Sequence, residues 1–405
     1  MTGLKKTPNL TIMRFNLRPF DFFLLVLMWG LLSTPQVTQA QFYENFEGEP
    51  TTEWRTRTGD GDTQSSIAFR DGYGRITVDA RQDRRNVWWA IMETTVSDDL
   101  DLERLAGDGY ELRVEARIRS NSAPKRVNLH LNTQRTTDFH SHLMEFDIPD
   151  TDHWHTISMT TRGFDGRPGD TVNGHLALMD WGRDQFWVDV DYYRVDVVAA
   201  DEAGPDKGEQ VVYPPPKPEP DQFSVVLSPA EAGMIDREYE DVNLSGWRDG
   251  EKPVLTTDAT KTILLRWDLE EFRGMKADDY GMLELHPYSY YQAFDTGLHA
   301  FDHVRLVEIL GGKENWIREE VTWQQFTGGA EPDELYNTQM IVDIDMPKQN
   351  GSLIRLHIPR PVIQRMLDGT TKGIAIYPLG AMQASFHLGA AQTDQAPQLY
   401  FNPVE

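Results

Sequence analysis

Amide and imidazole side chains alternate with aliphatic ones in the segment RVNLHLNTQRTTDFHSHLMEF, residues 126–146. In a β-strand every second residue projects from the same face, so the aliphatic set would face a core and the polar set would face outward. The polar residues of this set are Asn128, His130, Asn132 and Gln134. Planar amides and imidazoles make directional hydrogen bonds to hydroxyl and carboxylate groups. The segment therefore predicts a groove floor that binds a sugar chain or acts on one.

One chemistry that these residue types suit is β-elimination at a uronic acid. The reaction needs a group that neutralises the substrate carboxylate, a base that takes the C5 proton and an acid that protonates the leaving oxygen. Asn132 or Gln134 would bind the carboxylate. His140 or His142 would be the base, because the pKa of histidine lies near neutrality. The further candidates are His130 and Asn128 in the groove floor, Tyr192 or Tyr193 as the acid, Arg135 and Arg117 as charge partners, and Trp154 and Trp181 as stacking platforms.

These residues predict a polysaccharide lyase that acts on an acidic, uronate-containing polysaccharide. The alternative is a non-catalytic protein that binds a glycan through the same side chains. A glycoside hydrolase is disfavoured, because such enzymes ordinarily need two carboxylic residues flanking the scissile bond and the stretch 126–135 has none. His140 and His142 also have a structural interpretation, since in a continued strand they would share a face with apolar residues and be buried.

A metal site is a third hypothesis for the histidines. His140 and His142 are two residues apart, as are His153 and His155. On one strand face such a pair can bind zinc or copper. The spacing indicates no third ligand, so no cofactor is expected to be required.

The first forty residues have the pattern of an export signal. Basic residues at positions 5, 6, 14 and 18 precede the apolar run FFLLVLMWGLL, and the small-residue site TQA follows at 38–40. This pattern is typical of a signal peptide, here cleaved near Ala40. The apolar run is shorter than the about 20 residues that span a bilayer. We expect a secreted monomer, extracellular or periplasmic, with no membrane insertion.

Charge and cysteine content limit the partners. The chain has 64 acidic and 39 basic residues, a formal net charge of -25 and no cysteine. An acidic surface disfavours nucleic acid and anionic membranes, and no disulfide can form. An anionic polysaccharide stays compatible, because basic residues are concentrated before the middle of the chain. These include Arg113, Arg117, Arg119, Lys125, Arg126 and Arg135.

Two all-β domains are predicted on either side of a proline-rich linker. The linker, ADEAGPDKGEQVVYPPPKPEPD at residues 200–221, is charged and has three consecutive prolines, which favour an extended spacer. Short stretches of alternating polarity recur in 41–199 and in 222–405. Strands with one apolar face pack as pairs of sheets, so each domain is expected to be a β-sandwich of the jelly-roll type. One helix is predicted at RPVIQRMLDGT, residues 360–370.

The second domain has a distinctive order of landmarks. Residues 265–269 read LRWDL, Trp316 is followed by VTW at 321–323, and residues 397–401 read PQLYF. In these residues the domain resembles the DNRLRE family, jelly-roll modules of bacterial polysaccharide-degrading enzymes, some of which bind alginate. The resemblance implies a carbohydrate-binding jelly roll at 222–405. Where that family has Ser-Arg-Glu near its end, this chain has FHLG at 386–389.

The first domain opens with YENFE at 43–47 and closes with FWVDVD at 186–191. In these two strands it loosely resembles the sandwich modules of carbohydrate-active enzymes. In those modules such strands lie side by side and often hold a structural calcium ion. The resemblance implies a calcium site at Glu44, Glu47 and Asp191, whose oxygen atoms suit this ion. Solvated carboxylates on edge strands are the alternative.

Overall fold

The computed structural model describes residues 41–405 except 60, 71, 84–88, 180–182, 214, 293–302, 338–341, 346–352, 380–381 and 388–394. The predicted signal peptide and Trp181 therefore lie outside the described residues. No helix in the described part of the chain is long and apolar enough to cross a membrane.

The strands of the first half form two six-stranded antiparallel sheets. The strands are β1 (Phe42–Glu44), β2 (Arg55–Thr58), β3 (Gln64–Arg70), β4 (Tyr73–Asp79), β5 (Trp89–Thr95), β6 (Tyr110–Ser120), β7 (Lys125–Thr133), β8 (Leu143–Ile148), β9 (His155–Thr160), β10 (Val172–Met179), β11 (Gln185–Ala199) and β12 (Glu209–Gln210), with the helix α1 (Leu102–Leu105) after β5. Sheet A has the order β3-β4-β11-β6-β9, and β1 also pairs with β11. Sheet B has the order β12-β8-β7-β10-β5-β2.

The inner faces of sheets A and B enclose one hydrophobic core. In β7, Val127, Leu129 and Leu131 are at most 1% exposed, which confirms their predicted inward direction. Burial of one such side chain contributes about 1.5–3 kcal/mol. A slip of one residue would exchange the two faces of the strand, so the aliphatic set fixes the register. The amides and imidazole of β7 must then project from the outer face of sheet B.

A β-bulge at the centre of β11 interrupts the alternation of its side chains. The register with β6 shifts between Val190 and Tyr192. Val190 and Tyr193 are completely buried in the core, whereas Asp191 and Tyr192 both bond to side chains on the outer face of sheet A. A bulge inserts one extra residue into a strand, so the faces change over at that point.

Part of the predicted linker belongs to sheet B. The strand β12 pairs with Asp147 and Phe146 of β8, and the backbone N–H of Val211 donates to the carbonyl of Glu145 at 2.9 Å. Residues 209–211 of the predicted linker are thus part of the sheet and not of a free spacer.

The second half is also built from antiparallel strands, which confirms the all-β class. The strands are β13 (Val225–Leu227), β14 (Glu231–Asp236), β15 (Arg248–Asp249), β16 (Lys252–Thr257), β17 (Lys261–Arg266), β18 (Lys276–Ala277), β19 (Gly281–Leu285), β20 (Pro287–Gln292), β21 (His303–Ile309), β22 (Val342–Asp345), β23 (Ile354–Ile358), β24 (Gly373–Leu379), β25 (Met382–His387), β26 (Gln398–Phe401) and β27 (Pro403–Val404). Their sheets have the orders β13-β26-β19-β23, β14-β17-β24-β21-β22, β15-β16-β25-β20 and β18-β27. The helices are α2 (Trp323–Thr327), α3 (Pro332–Leu335) and α4 (Arg360–Asp368).

The helix α4 lies where the sequence predicts one. Pro361 lies in its first turn, where the fixed φ of proline suits a helix start. Gly369 follows the last residue with a φ of 79°, a left-handed conformation that glycine adopts without a steric penalty. Val362, Ile363 and Met366 pack from α4 into the core of the second half.

Candidate functional site

Polar side chains form a row across three strands on the outer face of sheet B. Thr95 of β5, Asn173 of β10 and Asn132 of β7 lie directly opposite one another. The hydroxyl of Thr95 donates to Oδ1 of Asn173 at 3.0 Å, and Nδ2 of Asn173 donates to Oδ1 of Asn132 at 3.5 Å. The row holds its amide groups in fixed orientations, which directional recognition of a polar ligand requires.

The next row of the same face carries a pair of stacked imidazoles. His175 of β10 lies opposite His130 of β7, with ring centroids 4.7 Å apart and an angle of 22° between the planes. Phe139, from the turn after β7, meets the ring of His130 edge-on at 5.9 Å. On the other side, Oε2 of Glu93 lies 3.5 Å from Nδ1 of His175. The pair is thus enclosed by an aromatic ring and a carboxylate.

These outward-facing groups are nevertheless buried. Asn128 is 2% exposed, His130 6% and His175 1%. Oδ1 of Asn128, Nε2 of His130 and both ring nitrogens of His175 have no hydrogen-bond partner among the described residues. A buried polar atom that lacks a partner is unfavourable by about 1–3 kcal/mol. Buried polar atoms without partners are uncommon in folded proteins, so a group of them on one sheet face marks a candidate site.

Burial keeps both imidazoles neutral. The pKa of His130 is lowered to about 4, mainly by desolvation and to a smaller extent by the nearby His142, His140 and Arg57. The pKa of His175 is lowered to about 3, mainly by desolvation and to a smaller extent by the nearby His130. At neutral pH each ring therefore has one N–H donor and one acceptor nitrogen. A sugar hydroxyl likewise both donates and accepts hydrogen bonds.

A cavity of about 520 Å³ opens at the end of this face. Its lining residues are Thr51, Thr52, Glu53, Arg55, Glu93, Thr94, Thr95, Asp98 and Asn173. Glu93 and Asn173 also belong to the two rows, so the cavity adjoins the histidine pair. Arg55 pairs with Glu53 at 2.7 Å, and Arg57 pairs with Glu93 at 3.0 Å. The guanidinium groups of this region are matched by carboxylates, and the cavity has no excess of positive charge.

We call the outer face of sheet B, with this cavity, the amide–histidine face. Its members are Asn128, His130, Asn132, Asn173, His175 and Glu93, with Phe139 above them. Three of the predicted groove residues, Asn128, His130 and Asn132, do lie together here.

Asn173 and His175 were missed by the sequence interpretation. The signal was present in the stretch VNGHLALM of β10, where the two residues are also separated by one position. A second strand with the same amide and imidazole alternation could have been paired with β7.

Gln134 and Arg135 lie beyond the end of β7, so the predicted extension of the polar face to Gln134 is wrong. The side chain of Gln134 donates to Asp170 at 2.9 Å and accepts from the N–H of Thr171 at 2.9 Å. Arg135 pairs with Asp170 at 2.6 Å and with Asp165 at 2.8 Å. These bonds lower the pKa of Asp170 to about 2, chiefly through Arg135. Both side chains thus order the loop at 165–171.

His140 and His142 lie in the turn before β8, not on the predicted strand. The strand begins only at Leu143. The side chain of His140 is 82% exposed and lies 3.4 Å from Asp138. His142 is half-buried against the ring of Phe164, with centroids 4.8 Å apart, and desolvation lowers its pKa. The shared face with apolar residues is therefore not formed, and the two imidazoles occupy different environments.

The predicted acids lie away from the amide–histidine face. Tyr193 is completely buried between the sheets, and this burial raises its pKa. Tyr192 donates to Oε1 of Glu115 at 2.8 Å on the outer face of sheet A. Burial and this carboxylate raise the pKa of Tyr192 to about 12. Because the two outer faces of a sandwich point in opposite directions, the expected single trough with the histidines is not formed.

Arg117 and Trp154 also lie on the outer face of sheet A. Arg117 donates to Asp191 at 2.7 Å, and its guanidinium carbon lies 5.5 Å from the ring centroid of Trp154. The charge partner of Arg117 is thus a carboxylate of the same sheet.

The residues of the calcium prediction do not come together. Glu44 accepts from the N–H of Phe46 at 2.9 Å and from the N–H of Thr51 at 2.7 Å, so its carboxylate orders the chain after β1. Phe46 has a φ of 55°, which this bond helps to hold. Asp191 pairs with Arg117 on the opposite face of sheet A, and Glu47 is exposed. Among the residues that the structure describes, no three His, Asp or Glu side chains are grouped as metal ligands. The two histidine pairs considered for zinc or copper therefore belong to no such group.

Comparison of the sequence with protein-family models and with curated proteins gives no match. The resemblance to the DNRLRE family therefore rests on the quoted residues alone. Several solved structures of carbohydrate-binding modules are similar to the chain. The CBM22-1 xylan-binding domain from Paenibacillus barcinonensis Xyn10C is 12% identical and covers 40% of this chain and 96% of its own, with a TM-score of 0.26.

The tandem CBM22-1-CBM22-2 domain of the same Xyn10C is 12% identical and covers 91% of this chain and 98% of its own, with a TM-score of 0.28. The family 11 carbohydrate-binding module of Lic26A-Cel5E from Clostridium thermocellum is 14% identical and covers 38% of this chain and 92% of its own, with a TM-score of 0.25. Similarity at this level assigns neither a family nor a ligand to this chain.

Proposed function

We propose that this protein binds a polysaccharide through the amide–histidine face and does not itself cleave it. The observation that carries the proposal is the set of buried polar atoms without protein partners on that face, contributed by Asn128, His130 and His175. Sugar hydroxyls both donate and accept, as neutral imidazoles and amides do, so a sugar chain would supply the missing partners once the side chains over these atoms, such as Phe139, move aside. Phe139 adds an exposed aromatic ring at 52% exposure beside them, and aromatic rings pack well against apolar sugar faces.

A neutral polysaccharide suits this face better than the anionic one expected from the sequence. The cavity is lined by the carboxylates of Glu53, Glu93 and Asp98 and by the guanidinium of Arg55. Arg57 also pairs with Glu93, so the region has three carboxylates and two guanidinium groups, and an anionic sugar gains no net attraction there. The row of Thr95, Asn173 and Asn132 offers uncharged donors and acceptors instead.

The β-elimination hypothesis lacks support from the placement of its groups. Tyr192 and Tyr193, the proposed acids, lie on the far side of sheet A and in the core. The proposed bases also lie apart in character, since His140 is exposed beside Asp138 and His142 packs on Phe164. Desolvation lowers the pKa of His142, which makes it a weaker base. A protein that only binds a glycan needs neither an acid nor a base. Export of such a protein agrees with the predicted signal peptide.

Affinity electrophoresis of the mature chain in gels that contain neutral xylan, neutral galactan or a uronate polymer tests the proposal. We expect at least one neutral polymer to retard the protein. Asn173→Ala and His175→Phe should each weaken binding about tenfold, which corresponds to about 1.4 kcal/mol. Arg104→Gln, on α1, is the matched control and should bind as the wild type does.

Retardation by no polymer, or full binding by both face variants, would contradict the proposal. The release of unsaturated, ultraviolet-absorbing products from a uronate polymer would replace it with the lyase hypothesis. New reducing ends without such products would indicate a hydrolase.

A further inference from the structure

The outer face of sheet A carries a cluster of tryptophan and arginine side chains that the amide–histidine face does not use. The guanidinium carbon of Arg75 lies 3.8 Å from the ring centroid of Trp187. The guanidinium carbon of Arg119 lies 4.8 Å from the centroid of Trp154 and 5.8 Å from that of Trp187. Both rings are half-buried. One guanidinium therefore joins two partly exposed aromatic rings.

Two carboxylates, one of them buried, hold the guanidinium groups in place. Asp189, which is completely buried, accepts from Nε of Arg75 at 2.6 Å and from Nη2 of the same side chain at 2.9 Å. Arg119 donates to the same carboxylate at 3.0 Å. Nε of Arg119 is buried and donates to no group in the described part of the chain. Arg117, bonded to Asp191 at 2.7 Å, extends the cluster along β6.

The cluster has a local excess of positive charge. Arg75, Arg117 and Arg119 face the carboxylates of Asp189 and Asp191, so one guanidinium charge is left over. The exposed Arg70, opposite Tyr73 on the neighbouring strands, adds to this excess. In a chain with a formal net charge of -25, this region has the opposite sign to the chain as a whole. An anionic ligand would be attracted here, against the average charge of the protein.

We propose that this surface, the arginine–tryptophan face, is a second binding site, for a polysaccharide that carries carboxylate or sulfate groups. A sugar ring presents C–H groups that pack on tryptophan, and its anionic group fits the two-pronged donor geometry of a guanidinium. The half-exposed rings of Trp154 and Trp187 and the neighbouring arginines supply both features side by side. A nucleic acid is a poor occupant, since its dense phosphate charge would meet the acidic remainder of the chain. The site is on the sheet opposite the amide–histidine face, and the proposal is independent of the one made for that face.

The test uses the mature chain in gels that contain polygalacturonate, a sulfated galactan or an uncharged galactan, at low and at moderate salt. We expect retardation by polygalacturonate or by the sulfated galactan, which separates the carboxylate source from the sulfate source. Retardation should weaken as salt rises, because the attraction is electrostatic. Trp154→Ala and Arg117→Gln should each lower the affinity for the anionic polymer about tenfold, or about 1.4 kcal/mol.

Two controls separate this site from the other one. Arg104→Gln removes the same charge from an arginine that also lies over an aromatic ring, Tyr110, at 4.6 Å, and should leave binding unchanged. Asn173→Ala should leave anionic binding unchanged while it weakens binding to the neutral polymer. The side chain of Arg117 is 43% exposed, so Arg117→Gln should fold even if Trp154→Ala does not.

Several outcomes would overturn the proposal. These are the absence of retardation by both anionic polymers, full binding by Arg117→Gln, and loss of anionic binding in Asn173→Ala. Equal competition by a single-stranded oligonucleotide would overturn the assignment to a polysaccharide. Failure of the neutral-polymer experiment alone would contradict only the function proposed for sheet B.

Discussion

The imidazole rings of His130 and His175 stack across two neighbouring strands, 4.7 Å apart, on the outer face of sheet B. Both are almost completely buried, although they face away from the hydrophobic core. Aliphatic side chains would normally fill such positions, because they need no hydrogen-bond partners. The arrangement therefore lowers the stability of the fold to group polar atoms on one face of the sheet, which is typical of functional sites.

The first prediction concerns the exchange of His175 for an apolar ring. Neither ring nitrogen of His175 has a hydrogen-bond partner among the described residues, so His175→Phe should raise the free energy of unfolding by about 1 kcal/mol. His175→Ala should instead lower it by about 2–4 kcal/mol, since it leaves a cavity. Urea unfolding of both variants measures this. A loss of stability in His175→Phe similar to that in His175→Ala would contradict the interpretation.

The second prediction is a loss of stability in weak acid. In the folded protein the pKa values of His130 and His175 are lowered to about 4 and about 3, whereas an unfolded histidine titrates near 6.5. Between these values the unfolded chain binds protons that the folded chain does not. Stability is therefore complete above about pH 6.5 and falls as the pH decreases towards 4, by up to about 1.4 kcal/mol per pH unit for each histidine.

Urea unfolding at pH 7.5 and pH 5 measures this loss. The variant His175→Phe lacks one of the two groups and should lose less stability than the wild type over the same interval. Equal losses in the two proteins would show that other groups cause the pH dependence.

The core and the polar strand of sheet B could be predicted because they have a simple period. Val127, Leu129 and Leu131 alternate with Asn128, His130 and the amide after them, and burial of one set fixes the direction of the other. That information is local to one strand. The pairing of His130 with His175 is not local, since the two residues lie in strands that meet only in the folded sheet.

The predictions that failed depended on features without a local signal. The bulge at Asp191 decides which of Tyr192 and Tyr193 faces outward. Simple alternation counted forward from Val190 would have put Tyr193 on the outer face, whereas Tyr193 is buried and Tyr192 lies outside. The strand predicted to contain His142 begins after it, because the chain first forms a turn at 138–141. The assignment of residues to sheets A and B, which separates Arg117 from His130, requires the topology.

The third prediction tests the role of Tyr193 in the core. A Cβ atom at Gly174 would lie 2.6 Å from the hydroxyl oxygen of Tyr193 and 3.0 Å from its Cε1. Gly174→Ala should therefore lower the free energy of unfolding by about 1–3 kcal/mol through overpacking. Adding Tyr193→Phe removes the closest atom and should restore part of the loss. Chemical unfolding of the two single variants and the double variant gives the coupling, and strictly additive effects would contradict this contact.

The fourth prediction concerns the carboxylate beneath the arginine–tryptophan face. Asp189 is completely buried and bonds to both Arg75 and Arg119, so Asp189→Asn leaves two guanidinium groups without their counter-charge. Removal of one partner from a buried ion pair lowers the free energy of unfolding by about 3–5 kcal/mol. Asp191→Asn is the matched control, because the pair of Asp191 with Arg117 is partly exposed and such pairs contribute about 0–1 kcal/mol. Urea unfolding of the two variants should therefore differ by more than about 2 kcal/mol, and similar losses would show that Asp189 does not organise the arginines.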